Sequence, residues 1–314
     1  MDLKQLRALV TVADTGNVTR AAALLNIVQP AVSRQLRLLE EDVGAALFDR
    51  SRQGMALTEA GRTLVEYARR VIQELERARA EIQPAAGGVG GIVTVGLLPS
   101  TADLLAYALV AAVGLQYPGI RVRIATAYAG TLQGWLESGE VDLSLLYDPR
   151  QTSTLRVRPL LDEVLWLVGL PASGLRPGQP FAVAGLAGRP LVLPSAPHGL
   201  RLLVEQAAAQ QSVALNVVAE TNAMSVQKSL VRGGLGLTVL PTIAVAEDIA
   251  AGHLVGAPLS EPALERKIVL ASASSRHIST PVRCVSAALV DCMAQAVARG
   301  QWPAARWLAG PPGA

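Results

Sequence analysis

Along residues 3–15, Leu3, Leu6, Leu9, Val10 and Ala13 fall on one side of a helix, with Lys4, Arg7 and Asp14 elsewhere. Gly16-Asn17 supplies a turn and a cap, and a second, shorter helix follows in which Val18, Ala21, Ala22 and Leu25 share a face. Asn26 reads as its stop. Pro30 can open the next helix, because a first-turn residue needs no N–H donor. There Val32, Leu36, Leu39 and Val43 recur at helical period, a buried stripe that turns Gln29, Ser33, Arg34 and Arg37 outward. After Gly44, Leu47 and Phe48 are apolar, Arg50 and Arg52 are exposed, and Gln53-Gly54 turns the chain back toward Leu57 as a two-stranded wing. The pattern predicts a winged helix-turn-helix over residues 1–58.

Residues 57–83 carry a different pattern. Leu57, Ala60, Leu64, Tyr67, Val71, Leu75, Ala78 and Ile82 alternate at steps of three and four, the seam of a coiled coil. The spacing predicts a long linker helix that pairs with its copy in a second subunit. The Pro-Ala-Ala-Gly-Gly-Val-Gly-Gly run at 84–91 has no periodicity and forms a hinge, so linker and hinge span 59–91.

From Ile92 onward, short apolar runs alternate with helical segments. Strands are predicted at 92–98, 120–127, 141–147, 162–169, 190–196, 217–222, 235–241 and 266–273. Helices are predicted at about 102–117, 130–140, 200–211, 224–232 and 280–299. Such alternation implies parallel sheet covered by helices. The fold class is thus a two-lobed α/β domain over 92–300. Lobe 1 takes about 92–161 and 266–300, and lobe 2 about 162–265. The tail 301–314 is rich in proline and glycine and reads as loose, with Trp302 and Trp307 able to pack back.

Composition changes this picture little. The chain has 314 residues, 51% of them hydrophobic, enough for several cores. Residues 1–90 hold 12 Lys/Arg against 11 Asp/Glu, leaving 16 against 14 in the remainder, so bulk charge does not mark the N-terminal unit. Any basic footprint comes from placement. Glutamine can read an adenine edge and arginine a guanine edge, and serine or arginine can hold phosphate. Cys284 and Cys292 stand eight apart on a helix, about two turns distant and too far to bridge, and free thiols fit a reducing compartment. No secretory pattern opens the chain and no apolar run approaches a membrane span, so a cytoplasmic protein without membrane contact is expected. No catalytic set is expected either: His198, His253 and His277 form none, no cluster has metal spacing, and no Gly-x-Ser-x-Gly elbow occurs.

The stretch LRALVTVADTGNVTRAAALLNIVQPAVSRQLRLLEEDVGAALFDRSRQGMALTEAG resembles the N-terminal signature of LysR-type transcriptional regulators. Small departures, such as Asn17 for serine and Val43 for leucine, leave the outward face untouched. The resemblance implies that the helix from Gln29 enters the DNA major groove. Gln29, Pro30, Ser33, Arg34 and Arg37 match its contacting positions, and Arg50 matches the wing arginine. It also implies that the lobed domain is similar to periplasmic solute-binding proteins and binds a small organic effector. The partners expected are double-stranded DNA, as an interrupted inverted repeat, and further copies of the chain: a dimer through the linker helix, and a tetramer as is usual in the family. No cofactor beyond that effector is expected. A solute-binding protein, or an enzyme built on the lobed domain, is the alternative reading.

In open α/β sheets, ligands lie beyond the carboxyl ends of the strands. Those ends carry Ser100 and Thr101, Thr131, Tyr147, then Ser195 and His198, and finally Thr221 and Asn222. Several are hydroxyls at helix starts, where free N–H groups favour an anion. The effector is therefore expected to be anionic. Ser100, Thr131 and Asn222 read equally well as helix caps, and Arg201 as either a positive partner or a surface residue.

Overall fold

The N-terminal helices form where their caps dictate. In the computed structural model, which describes residues 1–51, 54–82, 88–147, 149 and 153–310, α1 (Leu3–Thr15) begins with a capping box between Asp2 and Gln5. α2 (Val18–Leu25) begins with the Asn17 side chain accepting from the Thr19 and Arg20 N–H groups and ends at Asn26 in left-handed conformation. α3 (Gln29–Val43) has proline in its first turn and ends at Gly44, φ +74°. β1 (Phe48–Ser51) and β2 (Gly54–Leu57) pair antiparallel, and α4 (Glu59–Ile82) follows. Leu9, Val12, Ala21, Val32, Leu36, Leu39 and Leu47 are sealed in one core. Val43 departs from the predicted stripe: it lies 41% exposed, in the last turn beyond the reach of α1 and α2.

α4 carries two stripes where the sequence suggested one. Gly61, Val65 and Ala68 are buried, and Val65 and Ala68 join the core with α1. The predicted seam divides: Leu57, Ala60 and Leu64 pack against this core, and Tyr67, Val71, Leu75 and Ile82 are all exposed. At Gly61 a Cβ would sit 2.0 Å from the Leu47 carbonyl oxygen, so only glycine lets α4 pass so close to the wing.

The chain divides into two compact units, Met1–Ala86 and, apart from Ser138–Glu140, everything from Gly87 onward. The second unit is built in chain order from β3 (Gly90–Leu97), α5 (Pro99–Gln116), β4 (Gly119–Thr126), α6 (Ala129–Ser138), β5 (Leu143–Tyr147) and β6 (Leu155–Gly169). β7 (Phe181–Ala182), β8 (Pro190–Pro194), α7 (Gly199–Gln210), β9 (Asn216–Thr221), α8 (Met224–Arg232), β10 (Thr238–Pro241), α9 (Thr242–Ala250) and β11 (Val255–Ser260) follow. β12 (Glu265–Ala273), α10 (Thr280–Ala298) and β13 (Ala305–Trp307) complete it.

Lobe 1 is a sheet of order β4-β3-β5-β12-β6, parallel among β4, β3 and β5 and antiparallel at β12. Lobe 2 is built on the second half of β6, between β10 and β11, with β8 and β9 attached through a bridge from Leu191 to Leu237. β6 is one fifteen-residue strand rather than a short one beginning at 162, and it serves both sheets. It pairs with β12 as far as Val164 and with β10 from Leu165. The return crossing lies beside it, where the Leu165 N–H donates to the Leu264 carbonyl at 2.8 Å.

Three expectations need correction. α5 begins at Pro99, so Ser100 and Thr101 belong to its first turn and not to a preceding turn. The tail is not loose as far as residue 310: Trp302 is 2% exposed and β13 pairs with β6. α10 has 19 residues and is apolar enough to span a membrane by length and composition. Its Val285, Leu289 and Met293 are fully buried in the lobe 1 core, which accounts for that apolarity.

Candidate DNA interface and ligand cleft

On the first unit, α3 presents Gln29, Pro30, Arg34 and Arg37 as exposed residues and Ser33 as half-buried. Gln29 Nε2 donates to Ser33 Oγ at 3.1 Å, so the two polar side chains are ordered together. No side chain caps the start of α3 at Val28; Pro30 has no N–H, and the Ala31 N–H donates to the Val28 carbonyl at 2.9 Å. The end of α2 and the turn after it expose Leu24, Ile27 and Val28, apolar groups of the kind that meet thymine methyls; periodicity does not reveal their exposure. The acidic run after Leu39 is used structurally. Glu40 accepts the Leu47 N–H at 2.8 Å, Glu41 lies 3.8 Å from Arg37, and Asp42 pairs with the amino terminus at 2.7 Å. Arg50 lies on β1 opposite Met55, with only its backbone described, and Arg52 lies outside the described residues.

In the second unit a narrow cleft open to solvent, with a free volume of about 20 Å³, lies between the lobes. Lobe 1 contributes Pro99, Ser100, Tyr128 and Tyr147, lobe 2 contributes His198, Met224 and Gln227, and Arg266 lies at the crossing. Of the residues singled out from sequence, Ser100, Tyr147 and His198 meet here. The others do not line this cleft. Thr101 is buried with its hydroxyl on the Leu98 carbonyl at 3.0 Å, and Thr131 is exposed in the first turn of α6. Thr221 caps Ala223 at 3.1 Å, Asn222 is exposed, and Ser195 is half-buried beyond the lining. Arg201 pairs with Glu205 and Glu220.

Arg266, which lines the cleft, and Glu163, buried behind it, are residues that periodicity does not single out. Both are essentially buried, and Arg266 Nε donates to Glu163 Oε1. Arg266 Nη2 reaches Ser100 Oγ at 3.3 Å, and its guanidinium carbon stands 3.7 Å over the Tyr147 ring. Ser100 Oγ and Tyr147 Oη are 3.2 Å apart. Burial works against the arginine's charge, but Glu163 and Tyr147 outweigh it and hold the pKa above the usual arginine value. Tyr147 itself is raised, chiefly by burial.

Across the cleft, His198 Nδ1 accepts the Leu200 N–H at 3.1 Å, which caps α7 and fixes the neutral tautomer. Its ring meets Tyr128 edge-on at 4.4 Å, joining the lobes. Burial, and then Arg266, lower its pKa to about 4. Gln227 is buried and donates to Thr238 Oγ1. The starts of α5, α7 and α8 all reach the lining through Ser100, His198 and Met224, so three helix dipoles favour negative charge there.

Residues 3–62 match the bacterial regulatory helix-turn-helix model of the lysR family, and residues 86–294 match the LysR substrate binding domain. The chain belongs to the LysR family: it is a LysR-type DNA-binding transcriptional regulator with a substrate-binding domain. It is 35% identical over 307 residues to the HTH-type transcriptional regulator BbuR of Bordetella bronchiseptica, covering 96% of this chain and 93% of that protein. It is 27% identical over 296 residues to the nitrogen assimilation regulatory protein nac of Klebsiella aerogenes, with 94% and 96% covered. Among solved structures, a full-length OxyR variant from Pseudomonas aeruginosa aligns with TM-score 0.70 at 24% identity, covering 99% of both chains. CbnR complexed with its target DNA aligns with TM-score 0.70 at 20% identity, covering 94% of this chain and 99% of that one. These two likenesses establish the shared fold, an N-terminal helix-turn-helix followed by two α/β lobes.

Proposed function

We propose that this regulator acts in the cytoplasm as a dimer or tetramer of the chain and reads an interrupted inverted repeat. A small anionic organic molecule in the cleft between its lobes then alters how it holds or bends DNA. Gln29, Pro30, Ser33, Arg34 and Arg37 contact the major groove, and Arg50 and Arg52 hold the backbone. The exposed seam of Tyr67, Val71, Leu75 and Ile82 supports pairing through α4, which sets the separation of two recognition helices.

The observation that carries the ligand reading is the buried Arg266, turned toward Ser100 and Tyr147 where three helix starts converge. Glu163 balances its charge, so a ligand's acidic group is held by directed hydrogen bonds and helix dipoles rather than by excess positive charge. Closing the two lobes on such a molecule shifts their spacing, and a ligand acts only through its different affinity for the two spacings. Ser100, Tyr147 and His198 are the contacts retained from the sequence reading. Thr101, Thr131, Ser195, Thr221 and Asn222 are not proposed as contacts in this cleft, because none of them lines it and the Thr101 and Thr221 hydroxyls are already hydrogen-bonded.

The experiment is a screen of small organic acids by tryptophan fluorescence, followed by Ser100→Ala and Tyr147→Phe. A genuine cleft ligand loses about tenfold in affinity with either variant, the worth of one charge-assisted contact. Unchanged affinity in both places the ligand elsewhere.

A further inference from the structure

The tail runs antiparallel beside β6 at the crossing and reaches both lobes. Val164 N–H donates to the Ala304 carbonyl at 3.4 Å, Leu308 N–H to the Leu160 carbonyl at 2.8 Å, and Arg306 Nη2 to Asp162 at 2.6 Å. From lobe 2, the Thr242 hydroxyl donates to the Pro303 carbonyl. This strap carries Trp302 inward, and its indole Nε1–H donates to Glu163 Oε2 at 3.0 Å. Glu163 is thus gripped from two sides, Oε1 by Arg266 and Oε2 by Trp302, with none of its own surface exposed.

An arginine and a carboxylate left to themselves favour the two-pronged arrangement, with Nε and Nη2 on the two oxygens. Here Trp302 occupies the second oxygen. We propose that Trp302 is a positioning residue for the ligand cleft: by holding Glu163 Oε2 it confines the carboxylate to Arg266 Nε and leaves Nη2 turned toward Ser100 and the ligand. This rests on the cleft reading above. Its consequence is that the tail tunes ligand affinity without touching the ligand. Loss of the indole N–H frees Oε2, the fork closes, and Nη2 is drawn out of the cleft.

The test uses the full-length protein labelled with ¹⁵N, and acetate as probe, titrated against chloride at constant ionic strength. The Arg266 guanidinium signals are assigned by their loss in Arg266→Lys. In Trp302→Phe, which keeps the aromatic volume and removes the donor, the Arg266 Nε–H signal should move, and acetate should bind about tenfold more weakly. An Arg266 signal and an acetate affinity both equal to wild type overturn the proposal. If acetate binds neither protein while the Arg266 signal still moves, the cleft reading fails and the positioning role stands. Should Trp302→Phe not fold, a high-resolution crystal structure of the wild type decides. Single-pronged pairing through Nε supports the proposal, and a closed Glu163–Arg266 fork overturns it.

Discussion

Acid should weaken the ligand-binding unit through one imidazole. His198 is mostly buried, caps α7 through its unprotonated Nδ1, and faces Arg266, which together place its pKa at about 4 against 6.5 for a free histidine. Of the other titratable groups lining the cleft, Tyr128 and Tyr147 are both raised and stay neutral through the acid range, and Arg266, paired with Glu163, is raised and stays charged. As pH falls from 7, the unfolded chain takes up a proton that the folded imidazole refuses, so stability present above pH 6.5 is lost progressively toward pH 4. Between pH 7 and 4.5 the linkage integral is about 2.4 kcal/mol, reduced to about 2 kcal/mol because the ring retains some solvent contact. All four tryptophans, Trp135, Trp166, Trp302 and Trp307, lie beyond Gly87, so urea unfolding followed by their fluorescence reports this unit alone. His198→Asn keeps an N-cap acceptor and removes the titration. The variant should lose about 2 kcal/mol less than wild type between the two pH values. Equal losses in both proteins would refute the assignment of this acid sensitivity to His198.

Leu75→Asp places a charge in the exposed stripe of α4. With about 2 kcal/mol of burial lost from each of two copies, self-association measured by sedimentation should weaken roughly a thousandfold. An unchanged dimer would remove α4 from the interface. Gly61→Ala drives a Cβ against the Leu47 carbonyl and should cost the N-terminal unit about 2–3 kcal/mol. Helical circular dichroism should then show an earlier transition while the tryptophan transition stays in place; superimposable curves would contradict the close packing.

Much of this molecule is legible without coordinates, and the misses have physical causes. The helix-turn-helix reads directly because caps, proline, glycine and apolar period agree at each boundary. The second stripe of α4 is less visible, since Gly61 and Ala68 carry almost no hydrophobic signal, although their smallness is what allows close approach. The apolar pattern starts β6 at 162 because Arg156, Arg158 and Pro159 interrupt its apolar run, yet its first half is a strand of lobe 1. In the cleft, strand-end reasoning reaches Ser100, Tyr147 and His198. It misses Arg266 and Glu163: Arg266 stands in the Glu265-Arg266-Lys267 run that opens β12 and Glu163 stands beside Asp162 in β6, so both resemble surface charges. Only the pairing of β6 with β12, which sets Glu163 opposite Arg266, reveals that they bury each other. Trp302 belongs to a segment whose composition suggests disorder, and only its fixed partner, Glu163, gives it a role.

The most direct measurement is DNA retention by the purified protein on the region upstream of its own gene, against a shuffled control at fixed salt, for wild type and Arg34→Ala. Arg34 is exposed on the outward face of α3, and a base-edge contact is worth about 1–3 kcal/mol. Retention of the native sequence should exceed the control, and Arg34→Ala should reduce it about tenfold or more with the fold intact. Equal retention of both sequences, or no effect of Arg34→Ala, would contradict sequence reading by this helix.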